Sequence, residues 1–182
     1  MPRPDLPPQP DPSRMTNFAG HPLVVAVSPE REPLVVLTAL SLARASGAPA
    51  LYFAFADPAR FVDEEHPDGT VRHHPVDPDL GDDDLWPQRQ ERILAWLDQE
   101  LRGTDVPWHF RYLAGRADRA LTHLARAVDA AAFVVGTQRR RHQRMHDFVA
   151  QSLSMQLAHR QHRPVIVVPL TVVDWHAPAP WE

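Results

Sequence analysis

The feature that most constrains the fold of this chain is a pair of short apolar runs that enclose a polar loop and a helix. Residues 132–135 (AFVV) and 165–168 (VIVV) are continuous and β-rich, a pattern typical of strands that a parallel sheet buries on both faces. The first run ends at Gly136-Thr137, where an open α/β sheet presents backbone amides and a helix N-terminus to a ligand. This segment predicts strand, loop, helix and strand, with any small-molecule site at Gly136-Thr137.

Earlier segments also alternate strand and helix, the order that builds a parallel sheet covered by helices on both faces. We predict strands over residues 23–27, 51–56 and 106–113, the last with aromatic and polar residues alternating as at a sheet edge. Helices are predicted over residues 34–45, 87–102 and 118–128. The first helix is apolar on nearly all sides, which predicts that it is well buried.

Composition bounds the class of protein. A chain of 182 residues that is 43% hydrophobic can bury one substantial core. A formal net charge of -4 argues against a protein that coats nucleic acid. With no cysteine, disulfides, thiolate metal sites and cysteine nucleophiles are excluded. No apolar run approaches the roughly 18 residues of a membrane helix, so we expect no membrane association and a cytoplasmic location.

Both ends of the chain differ in composition from its centre. Six of the 20 prolines lie within the first 13 residues, which disfavours helices and central strands. We therefore predict a disordered proline-rich tail over residues 1–20, one domain over residues 21–170 and a C-terminal extension over residues 171–182.

The segment of residues 57–85 is acidic and is predicted to be an irregular, solvated loop. Its carboxylates and its histidines, His66, His73 and His74, are the ligand types of hard cations and zinc. The spacing fits no compact site, because adjacent histidines on an extended backbone point apart. We expect no metal here; a lid or a partner-binding surface remains an open role.

These motifs resemble the universal stress protein family. Gly136-Thr137, Gln151-Ser152-Leu153-Ser154 and the closing run of residues 164–169 (PVIVVP) are similar to its last strand–loop–helix–strand unit, and residues 21–47 and 113–136 to earlier parts. The resemblance implies an open five-stranded parallel α/β sheet of order 3-2-1-4-5, of the adenine nucleotide alpha hydrolase type. It also implies a homodimer joined through the last strand, formed by Val165, Ile166, Val167 and Val168.

The same resemblance indicates where a nucleotide would bind. The candidate cofactor-binding residues are Ser28, Gly136, Thr137, Arg139, Arg140, Ser152, Leu153 and Ser154. The family's ATP-binding members carry three glycines in this loop, and here Arg139 and Gln151 occupy the second and third positions. Ser28 stands where an aspartate usually follows the first strand. Glycine lets a backbone wrap phosphates without obstruction by a β-carbon, so these replacements argue against tight ATP binding.

Gln151 has a second expected effect. Glutamine favours helix, and an amphipathic stripe precedes it, so we predict that the helix begins near Asp147, a suitable N-cap. The amides of Ser152, Leu153 and Ser154 would then bond within the helix instead of serving a ligand.

The basic run Arg139-Arg140-Arg141-His142-Gln143-Arg144 allows two interpretations. Its guanidinium groups could pair with phosphate oxygens, or the run could be a solvated loop face. Binding to nucleic-acid phosphates is a further alternative, although no basic face elsewhere in the sequence extends the run.

Catalytic motifs are absent from the sequence. There is no dinucleotide-binding glycine motif, Walker A loop or nucleophile elbow, and His109, His123 and His159 have no evident nucleophile beside them. We expect a stress-associated regulatory or interaction protein that is not an enzyme and has no firm cofactor. The alternatives are an ATP-binding switch protein and a phosphoanion or nucleic-acid binder that uses the loop of residues 139–144.

Overall fold

The computed structural model describes residues 11–77, 85–137 and 152–170 of the chain. After a short 3-10 turn at Pro12–Arg14, the strands and helices follow in this order: β1 (Leu23–Ala26), α1 (Pro33–Ser46), β2 (Leu51–Asp57), β3 (Arg60–Glu65), β4 (Val71–Pro75), α2 (Trp86–Glu100), β5 (Trp108–Ala114), α3 (Ala117–Ala127), β6 (Ala132–Gly136), α4 (Leu153–Arg160) and β7 (Val165–Val168).

Five of these strands form one parallel sheet in the order β5-β2-β1-β6-β7. Counted along the chain without β3 and β4, this is the predicted order 3-2-1-4-5, so the expected fold class is confirmed. The strand at the centre of the sheet is β1, where Leu23, Val24 and Val25 are fully buried. The predicted edge position of β5 is also confirmed, and β7 forms the opposite edge.

The sheet has a hydrophobic core on each face. One core joins α1 and α2 to the sheet, with Phe53 and Leu97 among its fully buried side chains. The other joins α3 and α4, around Phe133 and Leu124. Burial on both faces explains why these strands are continuous apolar runs in the sequence.

Helix α1 begins with Pro33 at its first position and ends at Gly47, whose φ of 65° is left-handed. Proline has no amide hydrogen for the first turn to leave unpaired, and glycine adopts this φ without a β-carbon clash. The expectation that the helix is well buried is wrong for one face. Leu34 and Leu37 are 55% and 50% exposed, because only one side of the helix meets the sheet.

The structure of the acidic segment also differs from the prediction. Residues 60–75, predicted to be irregular, form an antiparallel hairpin of β3 and β4. The turn of residues 66–69 (HPDG) is the sequence signal that would have found it, since proline, aspartate and glycine each favour a turn position. The amide of Gly69 donates to the carbonyl of His66 at 3.0 Å, and the Gly69 φ is 79°. The acidic side chains of this short ribbon face water, so the sequence lacks the apolar pattern from which strands are predicted.

In the part of the chain that the structure describes, no helix is both long and apolar enough to cross a bilayer. Residues 1–10, half of the predicted tail, and the extension of residues 171–182 lie outside the described residues.

Candidate functional site

The predicted site lies where β1 and β6 end side by side. These two strands pair in parallel, with Val25 opposite Val134, and the chain leaves them in opposite directions across the sheet. Such a switch point opens a crevice at the carboxyl ends of the strands, the usual ligand position in open α/β sheets. The structure therefore brings Ser28, which follows β1, close to Gly136 and Thr137 at the carboxyl ends of the central strands.

Gly136 is enclosed by other side chains. A β-carbon on this residue would lie 2.6 Å from Cδ1 of Leu170, 3.1 Å from Cγ2 of Val35 and 3.2 Å from Oε2 of Glu32. Glycine is thus required by the packing at this position. The space that a phosphate would need beside the Gly136 backbone borders a leucine side chain and a carboxylate, and a carboxylate repels phosphate.

Thr137 is bonded to the chain that leaves β7. Its amide donates to the carbonyl of Val168 at 2.9 Å, and its Oγ1 accepts from the amide of Leu170 at 2.8 Å. The amide is therefore already used, and the hydroxyl already accepts one hydrogen bond. These bonds also hold Leu170 against Gly136.

Ser28 borders a small cavity of about 110 Å³ between the β1–α1 loop and α2. Its hydroxyl accepts from the amide of Glu30 at 3.3 Å. Three arginines line the same cavity: Arg31, Arg89 and Arg92. The backbone of Arg31 is left-handed, with φ 56°, which is uncommon for a residue other than glycine. This cavity is the most basic feature of the described site.

The start of α4 corrects the expected helix boundary. Ser152 has an extended ψ of 152° and is the N-cap of α4, which begins at Leu153 and not near Asp147. The Ser152 hydroxyl accepts from the amide of Met155 at 3.4 Å and lies 2.9 Å from the Ser154 hydroxyl. A first helical turn leaves its leading amides without intrahelical acceptors, so the amides of Leu153 and Ser154 are not consumed as predicted.

Four predicted positions lie outside the described residues. They are Arg139, Arg140, Asp147 and Gln151, together with the rest of residues 138–151. The phosphate-binding role of the arginine run stays a prediction.

A buried polar cluster at the carboxyl ends of β2 and β5 was not predicted. Asp57 is 3% exposed; its carboxylate accepts from the Tyr112 hydroxyl at 2.6 Å and pairs with the Arg89 guanidinium. Its other oxygen accepts from the amide of Ala59 at 3.0 Å. Burial, followed by the hydrogen bond to Asp57, raises the pKa of Tyr112 to about 12.

The hairpin contributes to the same region. Arg60 donates to Nδ1 of His73 at 2.6 Å and lies over the Trp86 ring, while the His73 ring packs on Trp86 and Tyr112. Burial and the neighbouring Arg60 charge lower the pKa of His73. An aspartate at the end of an apolar strand was visible in the sequence, but nothing there paired it with Tyr112 or Arg89.

The histidines of the hairpin point to opposite sides, as expected for adjacent residues on a strand. His73 faces Arg60 and Trp86, whereas His74 lies 3.6 Å from the Asp63 carboxylate and beside Phe61. Among the described residues, no three histidine, aspartate or glutamate side chains are placed to share a metal ion.

Comparison with protein-family models decides the family. The model of the universal stress protein family matches residues 21–169, which is most of the chain. The chain belongs to the universal stress protein family. Curated protein sequences gave no significant match.

Solved structures of universal stress proteins share the fold of this universal stress protein. The universal stress protein from Archaeoglobus fulgidus is 20% identical, with a TM-score of 0.55 over 81% of this chain and 97% of its own. A universal stress protein in complex with cAMP is 19% identical, with a TM-score of 0.55 over 84% of this chain and 99% of its own. The Archaeoglobus fulgidus protein in complex with dAMP is 20% identical, with a TM-score of 0.53 over 81% and 96%.

Proposed function

We propose that this universal stress protein is a cytoplasmic, non-catalytic regulatory or interaction protein that does not bind ATP tightly. One observation carries the proposal. The Thr137 amide and hydroxyl are bonded to Val168 and Leu170, and Leu170 thereby fills the space beside Gly136. A triphosphate at this edge would have to displace the chain that follows β7 and approach the Glu32 carboxylate.

Electrostatics and chemistry point the same way. Glu32 places a carboxylate oxygen 3.2 Å from the position of a β-carbon on Gly136, and a carboxylate repels a phosphate brought close to it. Among the hydrogen bonds of the described residues, no histidine is paired with a serine or threonine hydroxyl, the arrangement that activates such a nucleophile. These features support a binding role without catalysis.

Calorimetric titration of the whole chain with Mg-ATP tests the proposal. We expect no saturable heat at micromolar nucleotide. The double variant Glu32→Gln/Leu170→Ala removes the carboxylate and the leucine side chain, and we expect it to bind ATP more tightly than the natural chain. Micromolar ATP binding by the natural chain would refute the proposal, as would a double variant that remains folded and gains no affinity.

A nucleotide-responsive switch is the second candidate function. It is favoured by the three arginines around the Ser28 cavity and by the cAMP and dAMP complexes of two structural neighbours. Titration with cAMP, dAMP and AMP separates it from the first proposal, since a monophosphate needs less room than ATP. Binding that Arg31→Gln and Arg92→Gln weaken would establish the switch; no binding of any monophosphate would exclude it.

A phosphoanion or nucleic-acid binder remains a third proposal, resting on the sequence of residues 139–144 alone. Replacement of Arg139, Arg140 and Arg141 by alanine should abolish salt-sensitive retention on DNA if it holds. No retention of the natural chain at low salt would exclude it.

The proposed partner is a second copy of this chain, joined along β7, and an unidentified protein that this dimer regulates. At this edge Val167 is 44% exposed, and Val165 and Ile166 are half-buried. An apolar sheet edge of this kind suits a twofold partner strand. Val167→Lys should convert the dimer to a monomer in sedimentation velocity; a natural chain that sediments as a monomer would refute the interface.

A further inference from the structure

A second cavity lies away from the carboxyl ends of β1 and β6. It has a volume of about 300 Å³ and separates the β3–β4 hairpin from α3, above the end of β5. It shares no lining residue with the Gly136 site or with the Ser28 cavity. Its volume is at the lower end of the range found for small-molecule sites.

The walls of this hairpin cavity are apolar. They are formed by Val62 and Val71 from the hairpin, Leu113 from β5, and Ala120, Leu124 and Ala127 from α3. Leu113 and Leu124 are 2% exposed, so the floor belongs to the hydrophobic core. Binding would move the apolar surface of a ligand out of water and against these side chains. The free energy gained is proportional to the apolar area buried.

The hairpin is held in place on both sides of the cavity. Gly69 packs so closely on α3 that a β-carbon there would collide with Leu124. The Arg111 guanidinium donates to the carbonyl of Asp68 at 3.1 and 3.3 Å. The cavity is therefore preformed, and a ligand would not pay for ordering the hairpin.

Polar side chains also line the cavity, and His66 and Thr70 contribute from the turn of the hairpin. His123 on α3 and Glu65 on the hairpin are in contact, with 2.9 Å between Nδ1 and Oε2. Arg126 also lines the cavity, and it makes no ion pair with a carboxylate in the described parts of the chain. Glu65 is thus already partnered, whereas the Arg126 guanidinium is available to an anion.

We propose that the hairpin cavity binds a small amphiphilic carboxylate, with its apolar body between the hairpin and α3 and its carboxylate at Arg126. A guanidinium pairs with a carboxylate in bidentate geometry, which fixes the orientation of the ligand. An apolar pocket with few polar groups at one end is the general form of such sites. The proposal does not depend on whether nucleotides bind at the carboxyl ends of β1 and β6.

Octanoate is the probe that tests it, by calorimetric titration of the whole chain, with octanol and octylamine as comparisons. We expect saturable binding of octanoate, weaker binding of octanol and weakest binding of octylamine. Arg126→Gln should weaken octanoate binding by about tenfold, the loss expected for one charge-assisted pair. Arg119→Gln, an exposed arginine on the same helix, is the matched control and should leave the affinity unchanged.

Cavity-filling variants separate this site from adventitious apolar binding. Ala120→Leu and Ala127→Leu each place a larger side chain in the cavity, and either should abolish octanoate binding while the chain remains folded by circular dichroism. Ala95→Leu, at an exposed position of α2, should not. Absence of saturable octanoate binding, equal binding by both folded cavity variants, or tighter binding of octylamine than octanoate would each overturn the proposal.

Discussion

The hydroxyl of Tyr112 donates a 2.6 Å hydrogen bond to the carboxylate of Asp57, which lies 55 residues earlier in the chain. This bond joins the ends of two neighbouring strands, β2 and β5, at a point where the Asp57 side chain is almost completely buried. Because a buried carboxylate requires partners to offset its lost hydration, the Tyr112 hydroxyl contributes directly to the stability of this edge.

Tyr112→Phe should therefore destabilise the chain. The substitution keeps the ring contacts and removes one donor to a buried carboxylate, for which we expect a loss of about 1–2 kcal/mol in the free energy of unfolding by urea. Tyr52→Phe is the control: Tyr52 is half-buried and its ring packs on His109, and it should change stability by less than about 0.5 kcal/mol. Equal effects of the two substitutions would contradict the role given to the Asp57 bond.

The ionisation of Tyr112 gives a pH-dependent prediction. Its pKa is raised from 10.0 to about 12 by burial and by Asp57. The folded state therefore holds this proton more tightly than the unfolded state, and the resulting stability is fully present below pH 10.0 and is lost as pH rises towards 12. In Tyr52→Phe, where Tyr112 is the remaining tyrosine, tyrosinate absorbance should appear only well above pH 10.0. Half-ionisation of Tyr112 at pH 10.0 in the folded protein would contradict this prediction.

Gly136→Ala tests the crowding at the predicted nucleotide position. The new methyl group would meet Leu170 at 2.6 Å and Val35 at 3.1 Å, and overpacking of this kind costs about 1–3 kcal/mol. Adding Leu170→Ala should relieve part of the cost, so that the double variant is more stable than the sum of the two single effects predicts. Urea unfolding of all three variants measures this coupling. Strict additivity would show that Leu170 does not close the site.

Gly69, at the tip of the hairpin, and Gly103, which follows α2, form a matched pair of glycines. Gly69 and Gly103 have φ values of 79° and 76°, but a β-carbon on Gly69 would collide with Leu124, whereas nothing lies within 4 Å of one on Gly103. Gly103→Ala should cost about 1–2 kcal/mol for the left-handed backbone alone. Gly69→Ala should cost roughly 1–3 kcal/mol more because of overpacking. Thermal unfolding monitored by circular dichroism gives both values, and equal costs would mean that the hairpin moves away from α3 freely.

The parallel sheet could be predicted from the sequence because its strands are buried on both faces and leave continuous apolar runs. The β3–β4 hairpin could not be predicted in this way, since most of its residues are charged or polar and its apolar residues on the side of α3 are few, among them Val62 and Val71. Its turn residues, Pro67, Asp68 and Gly69, carried a signal that the acidic composition outweighed.

The position of the candidate site could be predicted from the sequence, but the residues that surround Gly136 could not. Gly136, Thr137 and Ser152 follow local patterns that mark strand ends and helix starts. The residues that close the site, Leu170 and Glu32, come from distant parts of the chain and reach it only through the strand order. The start of α4 was wrong because helix propensity favours Gln151, whereas the Ser152 hydroxyl caps the helix at that point.

The position of the hairpin has a consequence for self-association. It contacts both faces of β5, through His73 on Tyr112 and through the cavity wall at Leu113, and so obstructs one border of the sheet. Among the described residues, β7 forms the opposite border of this sheet. Sheet extension from molecule to molecule needs an open border on both sides of the sheet, so the hairpin opposes the repeated strand addition that would build a fibre.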